Sequence, residues 1–133
     1  MFLNRLSNEE KKAFIGLSVY AAMCNGEFHD KEKDMIEDYC KEMGIAFFDA
    51  ENITSLSEII NLYSKSETAT KRIVLMELLG LMYTDGNFDD KEKVFVKKIA
   101  QGIGLNQHDI DVQQKVLQKY MAVIEEMTKA IFQ

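Results

Sequence analysis

The chain has 133 residues, of which 47% are hydrophobic and 29% charged, and it carries a formal net charge of -6. This composition is typical of a globular protein, and the length suits one domain with a sizeable core. The acidic balance argues against nucleic acid as a partner. The longest apolar run, at 73–82, is too short to span a bilayer, and residues 1–6 lack a signal-peptide core, so we expect a cytoplasmic protein.

Helix-period patterns separated by short Gly, Asn and Ser turns, without any proline, predict an all-α bundle of about six helices in a single domain, 1–133. In chain order the predicted helices run from Ser7 to about Cys24, from His29 or Asp30 to Met43, from Ser55 to Tyr63, from about Glu67 to Tyr83, from Asp89 to about Gly102 and from about Asn106 to Phe132. Capping boxes predict two of the starts, because Ser7 precedes Glu10 by three residues and Ser55 precedes Glu58 likewise.

The fourth predicted helix is apolar on nearly every side from Ile73 to Tyr83, so it should lie in the middle of the core, beside the first helix. Glu77 is the exception on this helix, and we expect it to reach solvent or a lysine because glutamate is seldom fully buried.

The sixth predicted helix has apolar residues recurring on one face, and we expect it to pack across the bundle or to contact a partner. These residues are Ile110, Val116, Leu117, Tyr120, Ile124, Met127 and Ile131. An exposed apolar patch is a further expectation for Phe47-Phe48, Met1-Phe2-Leu3 and Ile131-Phe132.

Two segments of the chain repeat each other: Asn25–Lys33 and Asp85–Lys93, which share six of eight positions from Gly26 to Lys33. Gly44 matches Gly104 at the same interval. The pattern predicts an internal duplication of a unit made of helix, acidic turn and helix. The predicted limits are about 7–45 for repeat 1, 52–65 for a linker helix, 67–105 for repeat 2 and 106–132 for the C-terminal helix.

The acidic turns are candidate cation sites, because a glycine followed six residues later by glutamate resembles the second half of an EF-hand loop. The first two EF-hand carboxylates would fall on Leu81 and Tyr83, so this is not an EF-hand. A partial cluster of oxygens can still hold a hard cation weakly, with calcium as the leading candidate. The candidate ligands are Asp85, Asp89, Asp90 and Glu92 in the second turn and, more weakly, Asn25, Glu27, Asp30 and Glu32 in the first.

Helix capping is the alternative interpretation of the same acids. Asp89 at the N-cap and Glu92 three residues later would satisfy free amides and favour the helix dipole. The two roles are compatible, and the carboxylates repel one another unless a cation or the nearby lysines neutralise them. Zinc on Cys24, His29 and Cys40 is a weaker hypothesis, because no paired ligand spacing supports it.

The second turn resembles that of the TerB family, the bacterial proteins associated with tellurite resistance, whose helical domain also underlies a co-chaperone's N-terminal region. The segment Thr84–Lys93, followed by Ile99-Ala100 and Gly104-Leu105, carries the resemblance. The first turn departs from the family pattern at Asn25 and His29. The resemblance implies a helical module that binds divalent cations such as calcium through acidic turns and acts with other proteins in a stress or membrane-associated response.

Catalytic signatures are missing from the sequence: neither His29 nor His108 accompanies a recognisable nucleophile motif, and Gly102 and Gly104 lack phosphate-loop spacing. We therefore expect no enzyme and no organic cofactor.

The leading hypothesis is a TerB-like interaction module with an unknown protein partner, possible self-association and peripheral association with a membrane complex through partners. The alternative is a structural scaffold or oligomerisation domain whose acidic turns only cap helices.

Overall fold

The computed structural model describes residues 1–24, 30–45, 54–83 and 88–133, without the side chains of residues 30–32. These residues form a 3-10 turn, Leu3–Arg5, and six α-helices: α1 Asn8–Met23, α2 Asp30–Met43, α3 Leu56–Ser64, α4 Thr68–Met82, α5 Asp90–Ile103 and α6 Gln107–Phe132. The described residues include no strand. The predicted all-α class and the predicted number of helices are confirmed.

Local side-chain hydrogen bonds fix where the helices begin. The Ser7 side chain accepts from the Glu10 N–H at 3.2 Å, and the Glu10 carboxylate accepts from the Ser7 N–H at 2.9 Å. Ser55 accepts from the Glu58 N–H at 3.3 Å at the start of α3. The Ser7 capping box is therefore complete, and Ser55 makes the N-cap bond of its predicted box; each bond satisfies an amide that has no partner within its helix.

Two glycines in the left-handed region end the paired helices α2 and α5. Gly44 has φ +73° and Gly104 has φ +98°. After each glycine the next N–H bonds back across the helix end, from Ile45 to the Cys40 carbonyl and from Leu105 to the Ala100 carbonyl, both at 2.8 Å. This is the Schellman arrangement, which favours glycine because it has no Cβ.

The helix limits of the two sequence copies correspond. Helices α1 and α2 begin at Asn8 and Asp30, and α4 and α5 begin 60 residues later at Thr68 and Asp90. An internal duplication predicts this correspondence. The duplication itself stays a prediction, as do the proposed repeat limits.

Helix α4 lies in the middle of the core, as predicted, and contacts α1, α3, α5, α6 and the 3-10 turn. Its residues Val74, Leu75, Leu78 and Leu79 are completely buried. Helix α1 packs beside it, also as predicted. The linker helix α3 closes the other side of the core against α1 and α5, where the buried Tyr63 hydroxyl donates to the Glu10 carbonyl at 2.6 Å.

The expectation for Glu77 is wrong: the residue reaches neither solvent nor a lysine. It is only 8% exposed, and its Oε1 accepts from the Phe2 N–H at 2.7 Å and from the Met1 amino group at 2.8 Å. Glu42 on α2 accepts in the same way from the Leu3 N–H at 2.9 Å. A buried carboxylate is tolerable when it is paired and hydrogen-bonded, so here it attaches the 3-10 turn to α4.

Helix α6 packs on α4 and α5 only through its first half. Ile110 is buried and Leu117 is half-buried, whereas every residue from Gln118 to Gln133 is exposed. The prediction that α6 packs across the bundle therefore holds for about half its length. None of the described helices is long and apolar enough to cross a membrane.

Gly104→Ala should lower the free energy of unfolding by about 1–2 kcal/mol, because a Cβ disfavours the left-handed conformation. Its Cβ would also lie 3.1 Å from Lys71 Nζ. The matched control is Gly80→Ala inside α4, where nothing lies within 4 Å of the added Cβ and stability should rise by about 0.5–1 kcal/mol. Urea unfolding followed by circular dichroism measures both, and equal stability of Gly104→Ala and wild type would contradict this account.

Candidate functional site

The acids at the start of α5 form a helix cap. Asp89 Oδ1 accepts from the Glu92 N–H at 2.8 Å, and Glu92 Oε1 accepts from the Asp89 N–H at 3.1 Å. Glu92 is only 6% exposed, whereas Asp90 is exposed on the first turn of the helix. The capping interpretation of Asp89 and Glu92 is thus confirmed, and an alanine at such a cap typically costs about 1 kcal/mol.

The predicted cation sites are only partly covered by the structure. In the second turn, Asp85 lies outside the described residues. In the first turn, Asn25 and Glu27 lie outside them, as do the side chains of Asp30 and Glu32. Among the residues that are described, no group of three or more His, Cys, Asp or Glu side chains is arranged to hold a metal ion. The structure thus brings Asp89 and Glu92 together as a cap and leaves cation binding untested.

Two aromatic residues flank the second turn and pack against each other. The rings of Tyr83 and Phe88 have centroids 5.0 Å apart and planes inclined by 42°. Lys93 Nζ lies over the Phe88 ring, 5.9 Å from its centroid, which is within the range of a cation–π contact. Phe88 is half-buried against the hydrophobic core and so fixes the start of α5 there; its counterpart in the first copy, Phe28, lies outside the described residues.

An apolar groove of about 560 Å³ opens beside α6, between Met1 and Phe2 at the N-terminus, α2 and α4. Its walls are mostly methionine, tyrosine and aliphatic side chains. They comprise Met1, Phe2, Met35, Tyr39, Met76, Glu77, Gly80, Tyr83, Val116, Leu117, Tyr120 and Met121. Methionine-rich walls adapt to irregular apolar surfaces, so this groove is suited to receive an apolar side chain or helix face.

Two polar residues of the groove, Glu77 and Tyr39, are already engaged within the chain. Glu77 Oε1 accepts from the Met1 amino group and the Phe2 N–H, and the Tyr39 hydroxyl donates to the Glu77 carbonyl at 3.3 Å. Burial, together with the charges of Glu77 and Glu42, raises the pKa of Tyr39 far above its usual range. Tyr39 therefore stays a neutral hydrogen-bond donor, and these two residues support the groove walls.

The exposed half of α6 continues the apolar surface of the groove. We call the apolar side of α6 from Val116 to Ile131 the α6 face. Val116 and Leu117 lie at the groove, and the rest of the α6 face belongs to the exposed half of the helix. Along it, Leu117, Tyr120, Ile124, Met127 and Ile131 alternate at spacings of three and four residues. Tyr120, Val123, Ile124 and Met127 are all more than 40% exposed. The sequence predicted the stripe but not the groove, which depends on how α2, α4 and the N-terminal residues Met1 and Phe2 meet.

The predicted apolar patch is partly corrected. Met1 and Phe2 do lie beside α6 in the groove, but Leu3 is completely buried and belongs to the core. Ile131 and Phe132 are exposed at the far end of α6. Phe47 and Phe48 lie outside the described residues.

The cysteines are placed as core residues. Cys40 is buried in the hydrophobic core, and Cys24 is half-buried against it. Burial and the nearby Glu37 raise the pKa of the Cys40 thiol, which disfavours the thiolate that zinc requires. His29, the third residue of the zinc hypothesis, lies outside the described residues.

The whole fold is similar to that of a tellurite resistance protein from Nostoc punctiforme. The crystal structure of that protein matches 96% of this chain and 82% of its own chain, with a TM-score of 0.70 and 19% sequence identity. No family model matches the sequence. No curated protein matches it significantly either. The likeness therefore rests on structure, and it confirms the predicted TerB-like helical fold.

Proposed function

We propose that this chain is a non-enzymatic, TerB-like interaction module that binds an apolar helix of a protein partner. The binding surface is the groove together with the α6 face. One observation carries the proposal: every residue of α6 from Gln118 on is exposed, yet its apolar stripe continues directly from an apolar groove.

The energetics of an isolated helix support this proposal. A helix segment without tertiary contacts is marginal in water, and most helical stability in proteins comes from packing of an apolar face. Large contiguous apolar surfaces on globular proteins commonly mark interaction sites. An amphipathic helix laid into a groove through residues three and four apart is an established recognition mode. The α6 face has this spacing.

The chemistry of the groove favours binding over catalysis. Its buried carboxylate, Glu77, is neutralised by the amino group of Met1 at 2.8 Å, and its buried phenol, Tyr39, is protonated. Both groups therefore serve the local structure. A general base needs a reachable proton acceptor near substrate, and these contacts occupy the groups best placed for that role.

We also propose a weak divalent-cation site, with calcium as the leading ion, at the second turn. Asp85, Asp89, Asp90 and Glu92 are close in sequence, and Asp90 is exposed to solvent. Tyr83 supports a link to partner binding, because it lines the groove and packs against Phe88 beside the acids. A cation that ordered this turn would stabilise one wall of the groove. The first turn, with Asn25, Glu27, Asp30 and Glu32, would bind more weakly.

The biological setting is proposed by analogy with the structural neighbour, which is named a tellurite resistance protein. We propose a stress-response role of that type in the cytoplasm. Contact with a membrane complex would then run through protein partners. The fold supports this setting only as an analogy, since one fold serves several functions.

Photo-crosslinking tests the proposed surface. With p-benzoylphenylalanine in place of Tyr120, a protein partner should be captured in the native host, because the ring of this residue faces the groove. The matched control places the same group at Lys115, which is exposed on the other side of α6 and should capture nothing. Mass spectrometry identifies the captured protein, including the chain itself. Equal capture at both positions, or none at either, would contradict the proposal.

Calorimetric titration of metal-stripped protein with calcium tests the cation site. We expect saturable binding with a dissociation constant of about 10⁻⁴–10⁻³ M, as in weak oxygen sites. Asp85→Ala and Asp90→Ala should abolish it, and neither removes the Asp89 cap. Asp38→Ala, an exposed acid on α2, is the matched control and should leave the titration unchanged. Absence of binding heat in the wild type, or loss of binding in Asp38→Ala as well, would contradict the cation site and leave helix capping as the role of these acids.

A further inference from the structure

The groove and the α6 face are complementary to each other, although one copy of the chain cannot bring its own α6 end back into its own groove. We propose that the helix received by this surface is α6 of a second copy, packed antiparallel about a two-fold axis. This inference rests on the proposed function and names the partner of the same surface. Each copy then supplies one groove and one helix end, which is the condition for a closed, symmetric dimer.

The spacing of the α6 face fixes the register of this pairing. A two-fold axis that passes midway between Tyr120 and Ile124 sets Tyr120 of one copy opposite Ile124 of the other. The same axis sets Leu117 opposite Met127. Each pair occurs twice by symmetry, and all four residues belong to the stripe with alternating spacings of three and four. Such spacing keeps one seam facing a neighbouring helix.

The width of the α6 face explains why the groove takes part. Apolar residues flank the seam as well, including Val116, Met121 and Val123, each at least 37% exposed. A pair of helices without the groove covers only the narrow seam between them. The flanking residues would therefore stay exposed to water in such a pair. In the two-fold arrangement the groove wall formed by Met35 and Met76 lies on the far side of the incoming helix and covers them.

The surface area of the chain is sufficient for such a dimer. Its accessible surface is 8141 Å², whereas a compact monomer of 15.3 kDa exposes roughly 7,100 Å² by surface-to-mass scaling. The excess of about 1,000 Å² is close to the roughly 800 Å² that each partner buries in a standard interface. Within the described residues, the second half of α6 is an evident source of this excess.

The charged residues of α6 lie away from the seam. Lys119 and Glu126 follow Lys115 by four and eleven residues, so they lie with it on the polar side of the helix. Lys129 pairs with Glu125 within the helix at 3.3 Å. The seam residues Leu117, Tyr120, Ile124 and Met127 carry no charge, so apolar contact holds the two helices together.

Sedimentation equilibrium across a range of protein concentrations tests the dimer. The wild type should fit a monomer–dimer equilibrium, and Met127→Glu should raise its dissociation constant about 100-fold, because symmetry places each substitution at two apolar contacts. Met127 is 54% exposed, so its replacement should leave the fold intact. The matched control is Val94→Glu on α5, which is 69% exposed and outside the groove and should leave the constant unchanged.

A monomeric wild type, or an equal effect of Val94→Glu, would overturn the inference. Capture of another protein at position 120 by a monomeric wild type would overturn the dimer alone and leave the proposed function standing.

Discussion

Helix α4 is apolar on nearly every side, and a helix of this kind is stable only when other elements surround it. The rest of the structure can be understood as the means of surrounding it. Helices α1, α3 and α5 cover most of its circumference, and the first half of α6 and the 3-10 turn cover the remainder. The side that stays partly open carries Met76, Gly80 and Tyr83, spaced four and three residues apart along the helix. The groove is this open side.

The incomplete cover of α4 connects the core to the surface that we propose as functional. A small domain has little apolar burial to spare, so an open apolar strip beside an exposed apolar helix is costly unless something covers both. Glu77 interrupts the apolar surface of α4 and holds Met1 and Phe2, which form one rim of the groove. Tyr83, which packs against Phe88 at the start of α5, lines the groove as well. Core packing and the buried carboxylate therefore meet at one surface.

Local signals in the sequence predicted most of the fold. Ser7, Ser55 and Asp89 mark helix starts, and Gly44 and Gly104 mark helix ends, because each acts through hydrogen bonds within a few residues. The partner of Glu77 was not predictable in this way, since it lies more than seventy positions away in sequence. The groove likewise depends on three separate helices and on Met1 and Phe2 at the N-terminus. For the acids, sequence alone left capping and cation binding open; the structure establishes the cap, and the cation stays a proposal.

Hydrogen–deuterium exchange along α6, measured at several protein concentrations, tests the central claim that a second apolar surface covers the exposed half of this helix. The account predicts that amides in 107–117 are protected at every concentration, because Ile110 and Leu117 pack on the bundle. Amides in 118–130 should exchange rapidly in dilute protein and become protected as concentration rises. Protection of 118–130 that is the same at all concentrations would contradict it, because the second half of α6 would then be stable without any partner.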